Sequence, residues 1–426
     1  MTVSTARFDP GCWRDPALAR RLLQRIADVC AQAGWGEAGR PPLVVMEICG
    51  THTMAIARWG LRSLLPSGLR LISGPGCPVC VTDDGQMDEM MALARRPGVI
   101  VATYGDLLKV PDSRGQTLAQ ARAAGADVRV VYSPLEAVEL ARQLPERQVV
   151  LLGVGFETTA PGAALAVVQA KAMGVNNFFL YSAHRLTPPA MRALLSTGEQ
   201  RIDAFLIPGH VSAVLGERAF AFLAEEFGCG AVVAGFEPVD ILAALLQIVE
   251  EAAAHPVAEL LAVGEARRDR PAVCGNAQRV VHNEYRRAVR PEGNPRAQEL
   301  MERVFRVVDA DWRGLGRIPA SGLALRPEWR AWDAQIRWDL RLDIPPLPSS
   351  SPPPTTLPPS ATCLDKRATS GCRCGHVLRG VITPPECPLF GRVCTPLQPR
   401  GPCMVSSEGA CAAYYRYEWR QDLAGG

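Results

Sequence analysis

The sequence predicts an α/β protein with two lobes, each built on a mostly parallel sheet, followed by a C-terminal cysteine-rich region. Short runs of Val, Ile and Leu alternate with amphipathic segments between residues 43 and 248. Continuous apolar strands that alternate with helices are typical of parallel sheets covered on both faces. Six of the fourteen cysteines fall within residues 371–415, where glycine and proline separate them and no apolar periodicity runs between them.

Each element of this prediction comes from a local pattern. Apolar runs predict strands over residues 43–48, 99–103, 128–132, 149–154, 178–182, 204–207 and 231–234. Helical periodicity predicts helices over residues 15–33, 51–65, 83–96, 134–143, 162–173, 188–196 and 239–253. Thr51 is the expected N-cap of the second of these helices, and Cys30 is expected in the core on the apolar side of the first.

The same patterns divide the chain into five regions. We expect a first α/β lobe over residues 1–145, a second over 146–256, and a mainly helical connecting region over 257–343. Within that region, residues 309–323 are glycine-rich and predicted to be irregular, and 326–342 to form another helix. Residues 344–362 contain a proline/serine tract that predicts a semi-extended linker. The cysteine-rich region occupies 363–426.

Composition excludes several classes of function. The chain has 426 residues, of which 48% are apolar and 21% charged, with a formal net charge of +3. No block of Lys and Arg stands out, so nucleic-acid binding has no support. The sequence shows no signal peptide and no apolar run long enough for a membrane span. We therefore expect a cytoplasmic protein, in which fourteen cysteines indicate metal ligands or redox chemistry and argue against a disulfide framework.

Polar residues recur where the predicted strands end. Cys49 and His52 follow the first strand, Glu157 follows the strand at 149–154, and His210 follows the strand at 204–207. In open α/β sheets this carboxyl edge forms the ligand crevice, so Glu157 and His210 are candidate catalytic residues beside Cys49 and His52. Cys49 and His52 could be a metal site or a nucleophile with its base, or simply a buried cysteine and a hydrogen-bonded histidine.

Cys77 and Cys80 form a C-x-x-C motif in a Gly- and Pro-rich turn, with a helix predicted to follow. A thiol near a helix N-terminus has a lowered pKa and is a better nucleophile or metal ligand. A redox or metal function is favoured, and half of a zinc site is the alternative.

The C-terminal region contains six cysteines but too few apolar residues to bury much of a core of its own. The six cysteines are Cys372, Cys374, Cys387, Cys394, Cys403 and Cys411. Disulfides, zinc or an iron–sulfur cluster could hold such a segment together. The spacing matches neither paired zinc-ribbon motifs nor the usual ferredoxin run. Composition favours an iron–sulfur centre, and spacing leaves open which four cysteines are ligands.

Several motifs, taken together and in order, carry a family resemblance. They are MEICGTHT (46–53), GPGCPVCVT (74–82), GFETTAP (155–161), PGHVS (208–212), GFEPVDIL (235–242) and the C-terminal series CGHVLRG, CPLFGRVCTP and GPCMVSSEGACAAYYRY (374–417). With them the sequence resembles the HypD family of hydrogenase maturation factors over most of residues 43–417. The linker at 344–360 and Cys363 depart from the family pattern, and residues 1–40 carry none of its motifs.

The resemblance implies a fold of two similar lobes facing a cleft, and a function as a redox-active scaffold. On it the Fe(CN)2CO group of [NiFe]-hydrogenase would be assembled with a HypC-type chaperone and a HypE-type cyanide donor, before transfer to the hydrogenase large subunit. By motif position, Cys372, Cys387, Cys394 and Cys411 would bind a [4Fe–4S] cluster. The pairs Cys374/Cys403 and Cys77/Cys80 would be redox-active, and Cys49 would hold the cargo iron beside His52.

Two alternatives use the same residues differently. An iron–sulfur-dependent thiol/disulfide oxidoreductase acting on a partner protein would use both cysteine pairs but would give Cys49 and His52 no role. A zinc-stabilised binding module would leave the motifs at the strand ends unexplained.

Overall fold

The computed structural model describes residues 10–254, 280–340 and 371–419. Its strands are β1 Leu43–Glu47, β2 Leu69–Ser73, β3 Val99–Thr103, β4 Asp127–Val130, β5 Gln148–Gly155, β6 Phe178–His184, β7 Ala204–Pro208, β8 Gly230–Ala234, β9 Val281–Asn283, β10 Phe305–Trp312 and β11 Gly316–Leu325. The predicted linker at 344–362 and Cys363 lie outside the described residues.

The helices cover the sheets and connect the strands. They are α1 Pro16–Gln32, α2 Gly50–Arg58, α3 Leu61–Leu64, α4 Pro78–Val81, α5 Asp84–Ala94, α6 Leu118–Ala123, α7 Pro134–Gln143, α8 Ala160–Ala172, α9 Thr187–Thr197, α10 Gly209–Leu215, α11 Phe222–Glu225, α12 Pro238–Ala254, α13 Pro295–Val304, α14 Ala334–Arg337, α15 Cys374–Leu378 and α16 Ala410–Ala413. Among the described residues, none of these helices combines the length and apolarity that a membrane crossing requires.

Local sequence explains where several helices begin. The Asp15 carboxylate accepts hydrogen bonds from the first turn of α1, and the Asp83 carboxylate accepts one from Gly85 N–H at the start of α5. Thr117 and Gln120 form a capping box at α6. The prediction that Thr51 caps a helix over 51–65 is wrong. Helix α2 begins at Gly50 with Cys49 as its N-cap, and it ends before Gly60, which has a φ of 63°.

The described strands form two parallel sheets and one hairpin. The first sheet has the order β2-β1-β7-β8-β9 and the second the order β4-β3-β5-β6. Most strands are buried along their whole length, as expected for parallel sheets with helices on both faces. The predicted α/β class is confirmed. Cys30 lies in the core against the first sheet, as predicted.

Sheet membership does not follow the predicted order along the chain. Strand β1 pairs with β7, which lies about 160 residues later, so the first sheet draws on both predicted lobes. The predicted boundary at residue 145 falls between β4 and β5, both of which belong to the second sheet. Local periodicity identifies strands but carries no information on which distant strand will be the neighbour.

The connecting region at 257–343 was predicted to be mainly helical, and in the part that the structure describes this is wrong. Strand β9 joins the first sheet, and β10 and β11 form an antiparallel hairpin where residues 309–323 were predicted to be irregular. The predicted helix over 326–342 is a 3-10 turn, Pro327–Trp332, followed by the single turn α14.

The cysteine-rich region packs on the second sheet. Side chains from one face of that sheet, including Val101 and Val150, share an apolar cluster with α5, with Trp312 of the hairpin and with the C-terminal cysteines. The opposite face packs against α7, α8 and the rest of the hairpin. The cysteine-rich region has little apolar sequence of its own, and its side chains are therefore buried against the core of the second sheet.

Candidate metal centre and thiol pairs

Cys49 lies at the carboxyl end of β1 and caps helix α2. Its side chain makes no capping hydrogen bond of ordinary geometry, but the backbone N–H groups of His52 and Thr51 in the first turn of the helix act to lower the pKa of its thiol. Burial nevertheless raises the pKa of the Cys49 thiol to about 12, and the nearby carboxylates of Glu408 and Glu47 add to the increase. The group is therefore a thiol on its own and requires a cation beside it to become a thiolate.

The Gly- and Pro-rich turn before Cys77 packs directly on Cys49. A Cβ atom on Gly76 would lie 2.2 Å from the Cys49 backbone nitrogen, and Gly50 N–H donates to the Gly76 carbonyl over 3.0 Å. Only glycine permits this approach of two backbones. The structure thus brings the CGTHT and GPGCPVC motifs together, because they follow two neighbouring parallel strands, β1 and β2, that end at the same edge of the sheet.

His52 presents one unpaired ring nitrogen at this edge. Its Nε2 donates to the Gly235 carbonyl over 2.8 Å, which leaves Nδ1 as the unprotonated nitrogen. That Nδ1 is buried and has no hydrogen-bond partner in the described part of the chain. Burial lowers the pKa of His52 to about 4, so the ring stays neutral and Nδ1 keeps its lone pair.

An aromatic stack joins His52 to His210. The Phe236 ring lies 4.8 Å from the His52 ring and 3.9 Å from the His210 ring, measured between centroids. His210 lies in the first turn of α10, after β7, and Phe236 follows β8. The structure thus gathers the predicted residues Cys49, His52 and His210 at the carboxyl edge of the first sheet.

Cys77 and Cys80 are joined by a disulfide bond, with their Cα atoms 5.2 Å apart. Cys77 caps the one-turn helix α4, and both residues are buried. The Cys80 sulfur lies 3.7 Å from the Pro402 carbonyl oxygen, directly before Cys403. The C-x-x-C motif therefore lies between Cys49 on one side and the C-terminal region on the other.

Glu157 forms hydrogen bonds to the first residue of helix α9. Its two carboxylate oxygens accept the backbone N–H of Thr187 at 2.7 Å and the Thr187 hydroxyl at 2.9 Å. Helix α9 begins at Thr187, and its N-cap residue Leu186 has no side-chain acceptor for the N–H groups of the first turn. The Glu157 carboxylate, from another segment of the chain, caps the helix instead. Its predicted catalytic role has no support from these contacts and stays a prediction.

The burial of Glu157 leads to an expected pH dependence. Burial raises the pKa of this carboxyl from 4.5 to about 7. Because the folded state holds the proton more tightly, the stability gained from it is complete below pH 4.5 and is lost as the pH rises through 7. Relative to Glu157→Gln, which cannot ionise, the wild-type free energy of unfolding should fall between pH 5 and pH 8, by about 3 kcal/mol at most. Urea unfolding of both proteins checks this, and an equal difference at both pH values would contradict it.

Electrostatic and hydrogen-bonding contacts connect all six C-terminal cysteines. The Cys403 thiol hydrogen-bonds with those of Cys374 and Cys411. Burial raises the pKa of Cys372 to about 12, and the charges of Cys374, Cys387 and Cys394 raise it further. All six are buried except Cys372, which is partly exposed. The thiols whose pKa is raised in this way stay protonated on their own, and a metal beside them would favour their thiolates.

Two further contacts shape this site. Arg400 donates its backbone N–H to the Cys394 sulfur over 3.3 Å, and a Cβ atom on Gly401 would lie 2.8 Å from the Cys372 sulfur. In the described ranges, no three His, Cys, Asp or Glu side chains are grouped as ligands of a single metal ion. A [4Fe–4S] cluster instead takes one cysteine at each of four irons. The donor set, six closely packed sulfurs with a backbone N–H aimed at one of them, fits that group.

Comparison with known proteins decides the family. The family model named HypD, described as "Hydrogenase formation hypA family", matches residues 17–260 and 272–418. The chain belongs to the HypD family. It is 43% identical over 418 residues to the hydrogenase expression/formation protein HupD of Azotobacter chroococcum mcd 1, covering 97% of each chain. It is 40% identical to the hydrogenase maturation factor HypD of Escherichia coli K12, covering 97% of this chain and 98% of that one.

Sequence reasoning missed Glu408, which links the two halves of the site in this HypD chain. The Thr51 hydroxyl donates to the Glu408 carboxylate over 2.8 Å, and a Cβ atom on Gly50 would lie 2.5 Å from the Glu408 Cβ. The loop between Cys403 and Cys411 therefore rests on the CGTHT motif. The motif SSEGAC contains this residue, but its partner could not be read from the sequence.

A second missed group connects Cys49 to the segment after Cys411. Glu47, fully buried, accepts the Thr53 hydroxyl at 2.6 Å and the Cys49 N–H at 3.3 Å. Arg62 lies 3.5 Å from Glu47, donates to Glu418 over 2.6 Å and stacks over the Tyr414 ring. A glutamate inside the apolar run LVVMEI was a signal that sequence analysis could have used, because buried carboxylates are rarely unpaired.

Proposed function

We propose that this hydrogenase maturation factor is a redox-active scaffold on which Fe(CN)2CO is assembled before transfer to the hydrogenase large subunit. The observation that carries the proposal is the placement of Cys49. Its buried sulfur, the unpaired Nδ1 of His52 and the Cys77–Cys80 turn meet at one sheet edge, with the cysteine-rich region packed behind them.

Cys49 is the proposed ligand of the cargo iron. An iron carrying cyanide and carbonyl is soft, so a thiolate suits it. The cation supplies the charge that the buried Cys49 sulfur needs in order to lose its proton, and the N–H groups of Thr51 and His52 stabilise the resulting thiolate. His52 Nδ1 offers a second donor atom at the same edge. His210, which is exposed, is placed to hydrogen-bond a cyanide or a partner.

Cys372, Cys387, Cys394 and Cys411 are the proposed ligands of a resident [4Fe–4S] cluster. Such a cluster supplies or accepts single electrons when bound. Cys374 and Cys403 remain as a thiol pair within hydrogen-bonding distance of each other. The contact of Cys80 with Pro402 places the Cys77/Cys80 pair next to them. We infer that the two pairs exchange a disulfide bond and so carry reducing equivalents toward Cys49.

The proposed partners are a HypC-type chaperone and a HypE-type cyanide donor. The second candidate function is an iron–sulfur-dependent thiol/disulfide oxidoreductase acting on a protein partner. The contact of the Cys77–Cys80 disulfide with the Cys403 turn favours it equally. The oxidoreductase function does not explain why the buried Cys49 and the unpaired ring nitrogen of His52 lie at the other side of that disulfide.

An infrared spectrum distinguishes the two functions. The protein would be produced with its HypC-type partner and the cyanide-delivering factors, and purified without oxygen. We expect cyanide and carbonyl stretching bands, together with about four iron atoms per chain beyond the cargo iron. A sample that contains the cluster but shows neither band would favour the oxidoreductase, and stoichiometric zinc in place of iron would contradict both.

A further inference from the structure

The turn of the β10–β11 hairpin contacts residues that are adjacent in sequence to each cysteine pair. On one side, Arg313 N–H donates to the Val81 carbonyl over 2.9 Å, and Trp312 pairs with Thr82 as an antiparallel bridge. The Arg313 guanidinium donates through Nε to the Thr82 carbonyl over 2.9 Å. These contacts attach the hairpin to the residues that directly follow Cys80.

On its other side, the same turn packs on the helix that begins at Cys374. Gly314 has a φ of 78°, and a Cβ atom there would lie 2.4 Å from the Cα atom of Gly375. The reverse contact is equally close, at 2.9 Å from a Cβ atom on Gly375 to the Gly314 Cα. Arg379 donates to the Gly314 carbonyl and strengthens this junction. Only two facing glycines allow the backbones to come so near.

The Arg313 side chain is held at the tip of this hairpin by the segment that follows Cys80. Only 14% of it is exposed, and it forms an ion pair with Asp84 at 2.6 Å, without the geometry of a hydrogen bond. Trp312, directly before Arg313, packs in the same apolar cluster as the cysteines of both pairs. Arg313 is thus bonded through its backbone and its guanidinium to the turn that carries one pair, while the next residue, Gly314, packs on the helix that begins at Cys374.

We propose that Arg313 is a positioning residue for thiol–disulfide exchange between Cys374/Cys403 and Cys77/Cys80. This inference rests on the proposed function, in which both pairs are redox-active. By fixing the Cys77–Cys80 turn and the Cys374 helix to one rigid hairpin tip, Arg313 keeps the two pairs in attack geometry. The hairpin had no role in the sequence analysis.

The exchange is balanced within the chain. A thiolate of the Cys374/Cys403 pair attacks one sulfur of the Cys77–Cys80 bond, and the other sulfur of that bond leaves as a thiolate. The remaining thiol of the C-terminal pair then closes the Cys374–Cys403 disulfide and releases the second sulfur. One S–S bond breaks and one forms. Two electrons pass to Cys77 and Cys80, which also receive the two protons that Cys374 and Cys403 lose.

The test compares two routes to the same product in the full-length, cluster-containing protein without oxygen. Dithiothreitol reduces the Cys77–Cys80 disulfide, and alkylation with peptide mass spectrometry follows its loss. In Cys374→Ser the disulfide is lost only by direct reduction with dithiothreitol, at what we call the direct rate. The rate of loss with wild-type Cys374 minus this direct rate is the added rate, which measures exchange between the two pairs. We expect Arg313→Met to reduce the added rate about tenfold or more. The direct rate should be the same when Arg313→Met is combined with Cys374→Ser as in Cys374→Ser alone.

Matched variants separate positioning from general destabilisation. Arg313→Lys should restore part of the added rate, because lysine keeps the charge and one donor. Arg317→Met, on the same hairpin but with 66% of its side chain exposed, should leave the rate at the wild-type value. If Arg313→Met does not fold, Gly375→Ala tests the same junction, since its methyl group would push against Gly314. It should also slow the exchange about tenfold.

Three results would overturn the proposal. An unchanged added rate in Arg313→Met, or an equal change in the added and direct rates, would show that Arg313 does not position the pairs. If Cys374→Ser left the rate unchanged in a protein with wild-type Arg313, the two pairs would not exchange at all. That outcome rejects the assignment of redox pairs under the proposed function, and the role of Arg313 with it.

Discussion

Cys49→Ala is expected to abolish hydrogenase maturation and to remove the cyanide and carbonyl bands from the purified protein, while the C-terminal iron stays bound. The Cys49 sulfur is the proposed ligand, and alanine offers no donor atom in its place. Cys49 is 7% exposed and lies in a separate segment from the six C-terminal cysteines. The cluster absorption near 400 nm and the infrared bands, recorded on one sample, give both results.

Cys30→Ala is the matched control for this substitution. Cys30 is also a buried free cysteine, but it lies in α1 against apolar residues of the first sheet. Its loss should cost about 1 kcal/mol of stability and leave maturation intact. Normal maturation by Cys49→Ala would dismiss Cys49 as the iron ligand, and loss of the C-terminal iron along with the bands would show that the substitution disturbs the whole fold.

Serine substitutions should divide the six C-terminal cysteines into two groups. Cys372→Ser, Cys387→Ser, Cys394→Ser and Cys411→Ser are expected to lose most of the bound iron and the absorption near 400 nm, because each removes one of the four proposed ligands. Cys374→Ser and Cys403→Ser should keep both, because these residues are proposed to form the thiol pair. Iron analysis and an absorption spectrum of each variant, purified without oxygen, make the comparison.

The outcome of this series depends on the contacts around Cys403, which hydrogen-bonds with both Cys374 and Cys411. If Cys403→Ser lost the iron while Cys411→Ser kept it, the proposed ligand set would be wrong at these two positions. Loss of iron in all six variants would show that no cysteine of the region is free for exchange.

The sheets could be predicted from the sequence because their strands are continuous apolar runs. The run at 99–103 is a strand at its predicted bounds, and α7 at 134–143 is a helix at its predicted bounds. Strand β2 was missed since Arg70 interrupts its apolar pattern, and β9 has only three residues. The hairpin was missed because glycines near its turn suggested irregular structure, and only residues 309–312 of its first strand alternate between exposed and buried positions.

The site was predictable as a set of motifs but not as an arrangement. Cys49, His52 and His210 meet because β1 and β7 are neighbours, and that pairing joins segments about 160 residues apart. Glu408 and Arg313 depend on packing between elements separated by even more of the chain. Contacts of this kind come from the tertiary fold, which no local pattern records.

An iron-edge anomalous diffraction map of the protein, crystallised without oxygen together with its HypC-type partner, tests the central claim most directly. We expect one strong peak enclosed by Cys372, Cys387, Cys394 and Cys411, and a separate, weaker peak at the Cys49 sulfur. A map with no peak at Cys49, or with zinc at the C-terminal cysteines, would contradict the account.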